Sequence, residues 1–580
     1  MKKLFLLFAA AAFALVACEK PDENNGNDDN GNGNTPQQET KFAITSDLVV
    51  NLSGDSAMET IKFTAPAAWT AEVVYPGDVK DFVVLSKTSG EAGENEVKVT
   101  VQSLPEEEYG RYFFVNVKCG NDSGKLTFYQ GKVFIVSDDW FEFGLDGGNA
   151  EFTVVSNLKY TVTTYADAFP WAGAQFDQNT GKGTFTVGKS DSYDARTAYM
   201  KFVISKDEIG TEEDYVVRVY VNQAGNLKVA WVQQFFWGMF PAGSRESIAE
   251  LGDYIVINCE LTTAGTGGAY VFKKSDGSNV GVIAGLPSLN GVTNDDAGNI
   301  VLSAGGNYPI DDEGENATWA LIPDQQVPLT VFSLTKDQAL SVLGGAALPT
   351  LTPIITWYNT CYGYGVDNIR VTGDITGKAV VDVVSAAYQE EEPQSRVVAW
   401  QITGGKPASE PVIRTVPAEM SIWTPTQLVA KHLTTDVEGP LYYMGYDANY
   451  QMWYADNMTA EWQAVLDSGY TWENGFSTFS TIEWNGHKYI SFVGVPYFAW
   501  ADWDYDGTVD GHLPGHLWLL NIDDPKNPVV VSKYEYWCDE SNWQYGDNAD
   551  VKLVIEGSDL VCYMVDAASS QYMKVVYPKL

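Results

Sequence analysis

The sequence predicts an all-β chain: two Ig-like β-sandwich domains followed by a β-propeller. Three observations predict it. First, short β-rich segments separated by Gly, Asn and Asp turns run from residue 42 to the end. Amphipathic helical periodicity is confined to two short pieces, 335–343 and 459–466. Second, 41–132 repeats in 133–225 at an offset of roughly 92 residues, the size of a small β-sandwich. Third, the texture changes at Asn226: beyond it lie 15 of the 18 tryptophans, and strands recur around Asp/Gly turns.

At 580 residues the chain is too long for one core. Its formal net charge is -40; without Lys2 and Lys3 it carries 34 basic against 76 acidic residues, or -42. Such a field excludes nucleic acid as a partner. It also repels sulfated or uronic-acid glycans unless a cation intervenes. A hydrophobic share of 45% with 13% aromatics makes the body globular. Beyond Cys18 there are five cysteines, Cys119, Cys259, Cys361, Cys538 and Cys562. The odd number leaves at least one thiol free. Their scatter supports neither a zinc site nor a dense disulfide framework.

Residues 1–18 read as a secretory signal. Lys2 and Lys3 precede an apolar run, 4–16, that is too short to span a bilayer, and Leu15-Val16-Ala17-Cys18 follows. This ending resembles the lipobox of bacterial lipoproteins, which implies that Cys18 is acylated and becomes the new N-terminus. Residues 19–40, acidic and then Asn/Gly-rich, have nothing to bury and predict a disordered leash. Acidic residues directly after the cysteine resemble the surface-export signal of Bacteroidetes lipoproteins. The resemblance implies a protein lipid-anchored to the outer membrane and facing the cell exterior.

Within 41–132 the segments 96–102, 112–117 and 125–130 predict strands, with turns at Ser89-Gly90 and Gly120-Asn121-Asp122. The second copy follows the first: Gln130 matches Gln223, Trp69-Thr70 matches Tyr160-Thr161, Ser89-Gly90 matches Thr180-Gly181, and Arg111 matches Arg196. Trp69 after a small-residue turn, the 89–93 turn, the arginine-led strand and the closing 126–130 segment resemble the BACON domain, "Bacteroidetes-associated carbohydrate-binding often N-terminal". The resemblance is closer in the first copy than in the second. It implies a spacer role ahead of sugar binding, because each copy carries few aromatics that the pattern places outside the core.

In 226–580, one signature recurs at 294–302, 373–381, 484–490 and 557–561: a polar Asp/Asn/Gly turn opening a strand. A second, β-rich signature recurs at 269–272, 329–332, 397–400 and 517–520. The region would supply about five to seven blades. Residues 229–232 are expected to pair with the terminal strand 573–577 and close the ring, removing exposed sheet edges.

The sharpest motif is Asp502-Trp503-Asp504-Tyr505-Asp506-Gly507-Thr508-Val509-Asp510. Carboxylates at alternate positions converge on one cation when such a loop curls, and the glycine permits the turn. Asp502, Asp504, Asp506 and Asp510, with the Thr508 carbonyl, are the expected Ca2+ ligands, and the ion is structural. Leu513 stands where an EF-hand needs an acid; the loop instead resembles the calcium loops in integrin-type propeller blades. Aromatics in polar contexts form the second signal: Trp500, Trp503 and Tyr505 around that loop, Trp537, Trp543 and Tyr545 in 536–548, Trp357 before Tyr358-Asn359, and Trp472 in 469–475. Their faces suit sugar rings, with neighbouring Asp, Asn and Gln for the hydroxyls; the competing role is burial in blade cores.

Enzyme motifs fail. Residues 183–190 spell GxxxxGK[ST], but the interior predicts a strand and no helix follows to cradle a phosphate. His512 and His516 are separated by Pro514 and Gly515, so no helix aligns them. Neither GxSxG nor HExxH occurs. The sequence thus points to a non-catalytic cell-surface protein that binds a glycan or polysaccharide. The family resemblance adds capture for uptake by an outer-membrane glycan importer. Two alternatives stand beside it: a propeller glycoside hydrolase or lyase, and a protein-binding adhesin or scaffold.

Overall fold

A computed structural model describes residues 41–77, 79–106, 108–234, 247–260, 267–307, 309, 321–361, 365–386, 395–417, 420, 428–445, 451–467, 474–496, 500–501, 511–512, 515–536, 549–566 and 571–579. The described chain is all-β. Helix is limited to Lys206–Ile209, Lys336–Leu343 and short 3-10 turns. Among the described residues no helix is long and apolar enough to cross a membrane. Two compact units form: 41–190 with Ala195–Gly225, and Asp191–Asp194 with Asn226–Leu580.

The first unit holds the same plan twice. In the first copy one sheet runs Ala43–Ile44, Ala57–Ala65, Gly93–Val101, Val83–Leu85; the other runs Val49–Leu52, Asp122–Gly131, Gly110–Cys119, Trp69–Val74, Ser89–Gly90. The second copy repeats this order with Phe134–Val136, Gly148–Ser156, Lys182–Val187, Gln175–Asp177, and with Trp140–Phe143, Tyr215–Gln223, Arg196–Ile204, Thr161–Thr163. Each copy has a parallel pair among antiparallel ones, Val49 opposite Thr127 and Trp140 opposite Tyr220. The strand Lys182–Val187 occupies the GxxxxGK[ST] spelling, as its β-rich interior predicted.

Alternation builds each core. Gly93–Val101 turns Val97, Val99 and Val101 inward beside Phe63, Trp69, Phe113 and Phe128 from both sheets. The second core gathers Phe152, Phe185, Met200 and Phe202. Ser89-Gly90, expected as a turn, is a short edge strand opposite Trp69-Thr70. Glycine is required there because a Cβ on Gly90 would lie 2.8 Å from the Trp69 indole. The matched Arg and Gln are cross-strand partners in both copies: Arg111 Nε donates to Gln130 Oε1 at 2.9 Å, and Arg196 Nε to Gln223 Oε1 at 2.9 Å. The Gln130 carboxamide then donates to Gln102 O and that of Gln223 to Gly188 O, both at 2.8 Å. The arginine-led strand is therefore a structural clamp that ties a neighbouring strand's end to the opposite sheet.

Among the described residues the second unit holds six antiparallel sheets of four or five strands in succession, with one two-stranded ladder besides. Their first strands are Ile248–Leu251, Gly291–Asn294, Gly365–Gly373, Val429–His432, Asn474–Trp484 and Ala549–Glu556. The polar-turn signature marks the hairpin from first to second strand: the second strands Ile300–Ala304, Lys378–Ala386, His487–Pro496 and Asp559–Asp566 follow it. The sixth sheet takes its outer strand from the start of the region: Lys228–Gln234 pairs with Gln571–Tyr577, Val229 opposite Val575 and Val232 opposite Met573, as expected.

Each sheet is buried on both faces. Val381, Val383 and Trp400 of the third sheet pack with Val331 and Ile355 of the second, whereas Val380, Val384 and Ala399 pack with Ala430 and Tyr443 of the fourth. Further cores join first to second, fourth to fifth and fifth to sixth sheets. The remaining core joins sixth to first, through Tyr563, Val565 and Tyr572 against Ile248, Ile255 and Phe272. One helix expectation holds: Thr335 caps Lys336–Leu343 in a reciprocal box with Gln338. The other does not. Within 459–466 the outer strand Gln463–Asp467 forms instead, after a turn in which Asn457 Oδ1 accepts from the N–H groups of Thr459 and Ala460.

Candidate functional site

Polar side chains on the first strands, on the second strand of the third sheet and in the turn after Gly291–Asn294 link sheet to sheet. Asn294 Oδ1 accepts from Glu250 N at 2.6 Å, Asp296 Oδ2 from Gly373 N at 2.7 Å, and Asp382 Oδ2 from His432 N at 2.8 Å. Lys431 Nζ donates to Thr481 Oγ1 at 2.8 Å, Leu553 N to Ser480 Oγ at 3.1 Å, and Ile248 N to Asp550 Oδ2 at 3.0 Å. The last of these ties the sixth sheet to the first.

Arg370, from the third sheet, reaches across the others. Its Nη2 donates to Asp550 Oδ1 at 2.6 Å and its Nε to Phe479 O at 3.1 Å; both charged side chains are almost fully buried. Asp550 also accepts from Thr478 Oγ1 and from Val551 N. Burial pushes its carboxyl up, more than Arg370, Thr478 and the backbone donors pull it down. Lys431 and Lys552 stand close by. Burial lowers the Lys431 amine to about 8 against the pull of Asp296, and lowers Lys552 against that of Glu250. Both keep partial solvent exposure while protein crowds them. The carboxylates here are engaged by donors, which makes this centre a brace.

His432 is sealed, with Nδ1 2.7 Å from Asp382 Oδ1 and Nε2 2.9 Å from Val437 O. Both ring nitrogens face acceptors, so the ring carries both protons. Burial opposes that charge, but Asp382 and the carbonyl outweigh it and the pKa is raised. His516 differs: burial, with Lys533 nearby, lowers it to about 4, so it is a neutral imidazole. The thiols of Cys119, Cys361 and Cys562 are free and buried.

The connections whose sequence includes seven of the predicted stacking aromatics begin or end at one edge of the fifth sheet. Asn474 pairs with Pro496, Gly494 with His516 and Gly515 with Tyr536, so four strand ends lie side by side. The segment bearing Trp472 enters at Asn474. That bearing Trp500, Trp503 and Tyr505 runs from Pro496 to Gly515, and that bearing Trp537, Trp543 and Tyr545 leaves Tyr536. The expected calcium loop belongs to the second of these and is closed at its base by a ladder, Trp500 opposite His512 and Ala501 opposite Gly511.

Trp500 is described in its backbone only. Cys18, Trp472, Trp503, Tyr505, Trp537, Trp543, Tyr545 and the ligand set Asp502, Asp504, Asp506, Thr508 and Asp510 lie outside the described residues. Among the described residues no group of three or more His, Cys, Asp or Glu is placed to hold a metal ion. Trp357 is corrected: it is 9% exposed and packs edge-on to Trp400 at 5.5 Å, in the core between second and third sheets. Its strand partners Leu329, and alternation turns it inward; Tyr358, one residue on, is 56% exposed.

Sequence reasoning missed Arg370, Lys431, Lys552 and Asp550. Their signal was a lone charge inside an apolar run, as in Val429-Ala430-Lys431-His432 and Val551-Lys552-Leu553.

A family model described as "Domain of unknown function (DUF8500)" matches residues 338–525. No curated protein matches the chain. Among solved structures, a DUF4623 family protein from Bacteroides eggerthii is 9% identical over 79% of this chain and 96% of that one, with a TM-score of 0.38. A Bacteroides ovatus GH5 xyloglucanase is 19% identical over 16% of this chain and 19% of that one, with a TM-score of 0.14. A protein of unknown function from Porphyromonas gingivalis is 12% identical over 32% of this chain and 99% of that one, with a TM-score of 0.14.

Proposed function

We propose that the chain is a non-catalytic, lipid-anchored surface protein that captures a glycan at one edge of a six-bladed β-propeller. The propeller reading is supported by six successive sheets, each packed on the next, with the sixth packed on the first and completed by the region's opening strand. Two Ig-like, BACON-like sandwiches precede it, supported by their repeated strand order and the doubled Arg–Gln clamp. Cys18 is the acylated anchor in the outer membrane, facing outward, and the captured polysaccharide passes to an outer-membrane glycan importer.

One observation carries the capture reading: three aromatic-bearing connections spring from the same edge of the fifth sheet. Aromatic rings stack on successive sugars, and the same connections also carry Asp, Asn and Gln in sequence for hydroxyls. The ladder at Trp500–Ala501 and Gly511–His512 supports the calcium assignment, since it holds the two ends of the Asp502–Asp510 loop together.

The test is a glycan array on the full chain, with and without chelator. At least one glycan should be bound. Trp537→Ala combined with Trp543→Ala should lose it at an unchanged melting temperature. Binding that survives the double substitution removes this edge from consideration. Silence across the array removes the reading itself.

A further inference from the structure

Aromatic rings stand in a row on the outer face of the second copy. Trp140, Tyr220 and Tyr199 occupy three adjacent strands in register, Trp140 opposite Tyr220 and Tyr220 opposite Tyr199. Their ring centroids are 5.5 and 5.8 Å apart, and Tyr165 continues the row 5.1 Å from Tyr199. Trp140 is 51% exposed. The alternation is clear in the strand itself: Val219 and Val221 are sealed inward, so Tyr220 points out. Tyr165 is held at φ 52, a left-handed conformation that a non-glycine residue adopts only when its surroundings enforce it.

The fold does not require this row. Registering the copies on their Arg–Gln pairs matches Trp140 with Val49, Tyr220 with Thr127 and Tyr199 with Phe114. In the first copy the Lys125 amine covers the one ring at these positions, 3.5 Å from the Phe114 centroid, and the further outward rings Tyr112 and Tyr129 lie toward the other end of the strands. Its counterpart Arg218 stands 5.6 Å from Tyr199. At the matched positions the same frame thus carries three aromatic rings across three strands in one copy, with Arg218 over the Tyr199 end, and a single ring, Phe114, in the other.

We infer that this row is a second glycan-binding platform, which takes a neutral polysaccharide chain laid across the strands. The flanks suit that occupant. On one side Glu142 and Asn222 are strand partners; on the other, Arg218 and Lys201 are. Acceptors and donors thus border the rings on both sides, as hydroxyls at the edges of an apolar ribbon need, and opposite charges suit a neutral chain. The Trp140 indole N–H is already donated to Glu142 Oε1 at 3.2 Å, which leaves the ring face as the contact. A peptide strand would instead seek unpaired backbone at a sheet edge, and this is a sheet face. The inference rests on these rings and not on the edge of the fifth sheet.

The test is affinity electrophoresis of the full chain through gels containing hydroxyethylcellulose, arabinoxylan, xyloglucan or galactomannan. At least one should retard the chain. Trp140→Val with Tyr220→Thr installs the first copy's residues at matched positions, so folding and melting temperature should hold. That variant should weaken retention roughly tenfold. Trp537→Ala with Trp543→Ala, run alongside, separates the two sites. If the fifth-sheet variant alone loses retention, the platform is wrong and the capture reading stands. If the platform variant alone loses it, the platform is right whatever becomes of that edge. Retardation by none of the four, or identical retention in the platform variant, overturns the inference.

Discussion

Removing Asp550 should damage the second unit far more than removing its partner Arg370. The pair is almost fully buried, with Nη2 and Oδ1 2.6 Å apart. Asp550→Ala leaves a guanidinium that cannot shed its proton. It also strips the acceptor from Thr478, Ile248 N and Val551 N. Breaking a buried pair this way costs about 3–5 kcal/mol, a large share of a stability of about 5–15 kcal/mol. Arg370→Met leaves a carboxyl that can take up a proton, to which burial already inclines it, and which keeps three donors. Its main cost is two carbonyls, Phe479 O and Ile369 O, deprived of a donor, or about 1–3 kcal/mol. The sign with pH follows. An acid whose folded pKa is raised contributes most below its unfolded pKa and loses that contribution as pH rises through the folded one. Relative to the parent, Arg370→Met should therefore recover stability as pH falls from neutrality toward the unfolded carboxyl value of about 4. Urea unfolding followed by tryptophan fluorescence reads this unit, which holds 15 of the 18 indoles. Equal losses in the two variants, or a larger loss in Arg370→Met, would refute the reasoning.

Other outcomes follow from named contacts. The His432 pKa is raised, so its contribution is whole below about pH 6.5 and is lost as pH climbs through the folded value. The melting temperature of the second unit should fall from about pH 6 to about pH 9, and His432→Gln should flatten that slope. Gln130 is fully buried and holds Arg111, Gln102 O and Asp55 O, so Gln130→Ala should cost about 2–4 kcal/mol. Calorimetry should show the first unit's transition lowered and the second's unmoved. Calcium should raise the melting temperature of the second unit, and Asp504→Asn with Asp506→Asn should abolish the rise. No heat of binding at millimolar calcium would dismiss the ion.

The sequence revealed strands best where a turn and an apolar run agreed. Residues 373–381 and 557–561 announce first-to-second hairpins because Asp, Gly and Ser can supply the tight turn and the valine-rich strand is buried on both faces. It misled where a side chain imitates a cap. Asn457 closes a local turn onto Thr459 and Ala460 much as a helix cap would, yet an outer strand follows. Thr335 succeeds where Asn457 does not, since Gln338 returns the bond and a helix continues. The sheet count was hidden by weak outer strands such as Lys406–Pro407 and Val412–Thr415, which share one position in the third sheet. The outward row at Trp140 and Tyr220 was written in strict alternation. It could be read only after Val219 and Val221 were known to face the core.

The central charges could not be read in advance for a different reason. Arg370 and Asp550 are 180 residues apart, and nothing local to either says that they meet. Their position gives them a use that offsets a desolvation cost apolar residues would avoid. Two-sided apolar sheets can slide on one another, because a face of valines fits its neighbour at several offsets. A hydrogen bond from a strand side chain to a chosen backbone group on a neighbouring sheet allows one offset only. Asn294 on Glu250, Asp382 on His432 and Asp550 on Ile248 each do this between successive sheets. The last of them does it where the sixth sheet meets the first, so the polar centre sets the register that the apolar cores leave open.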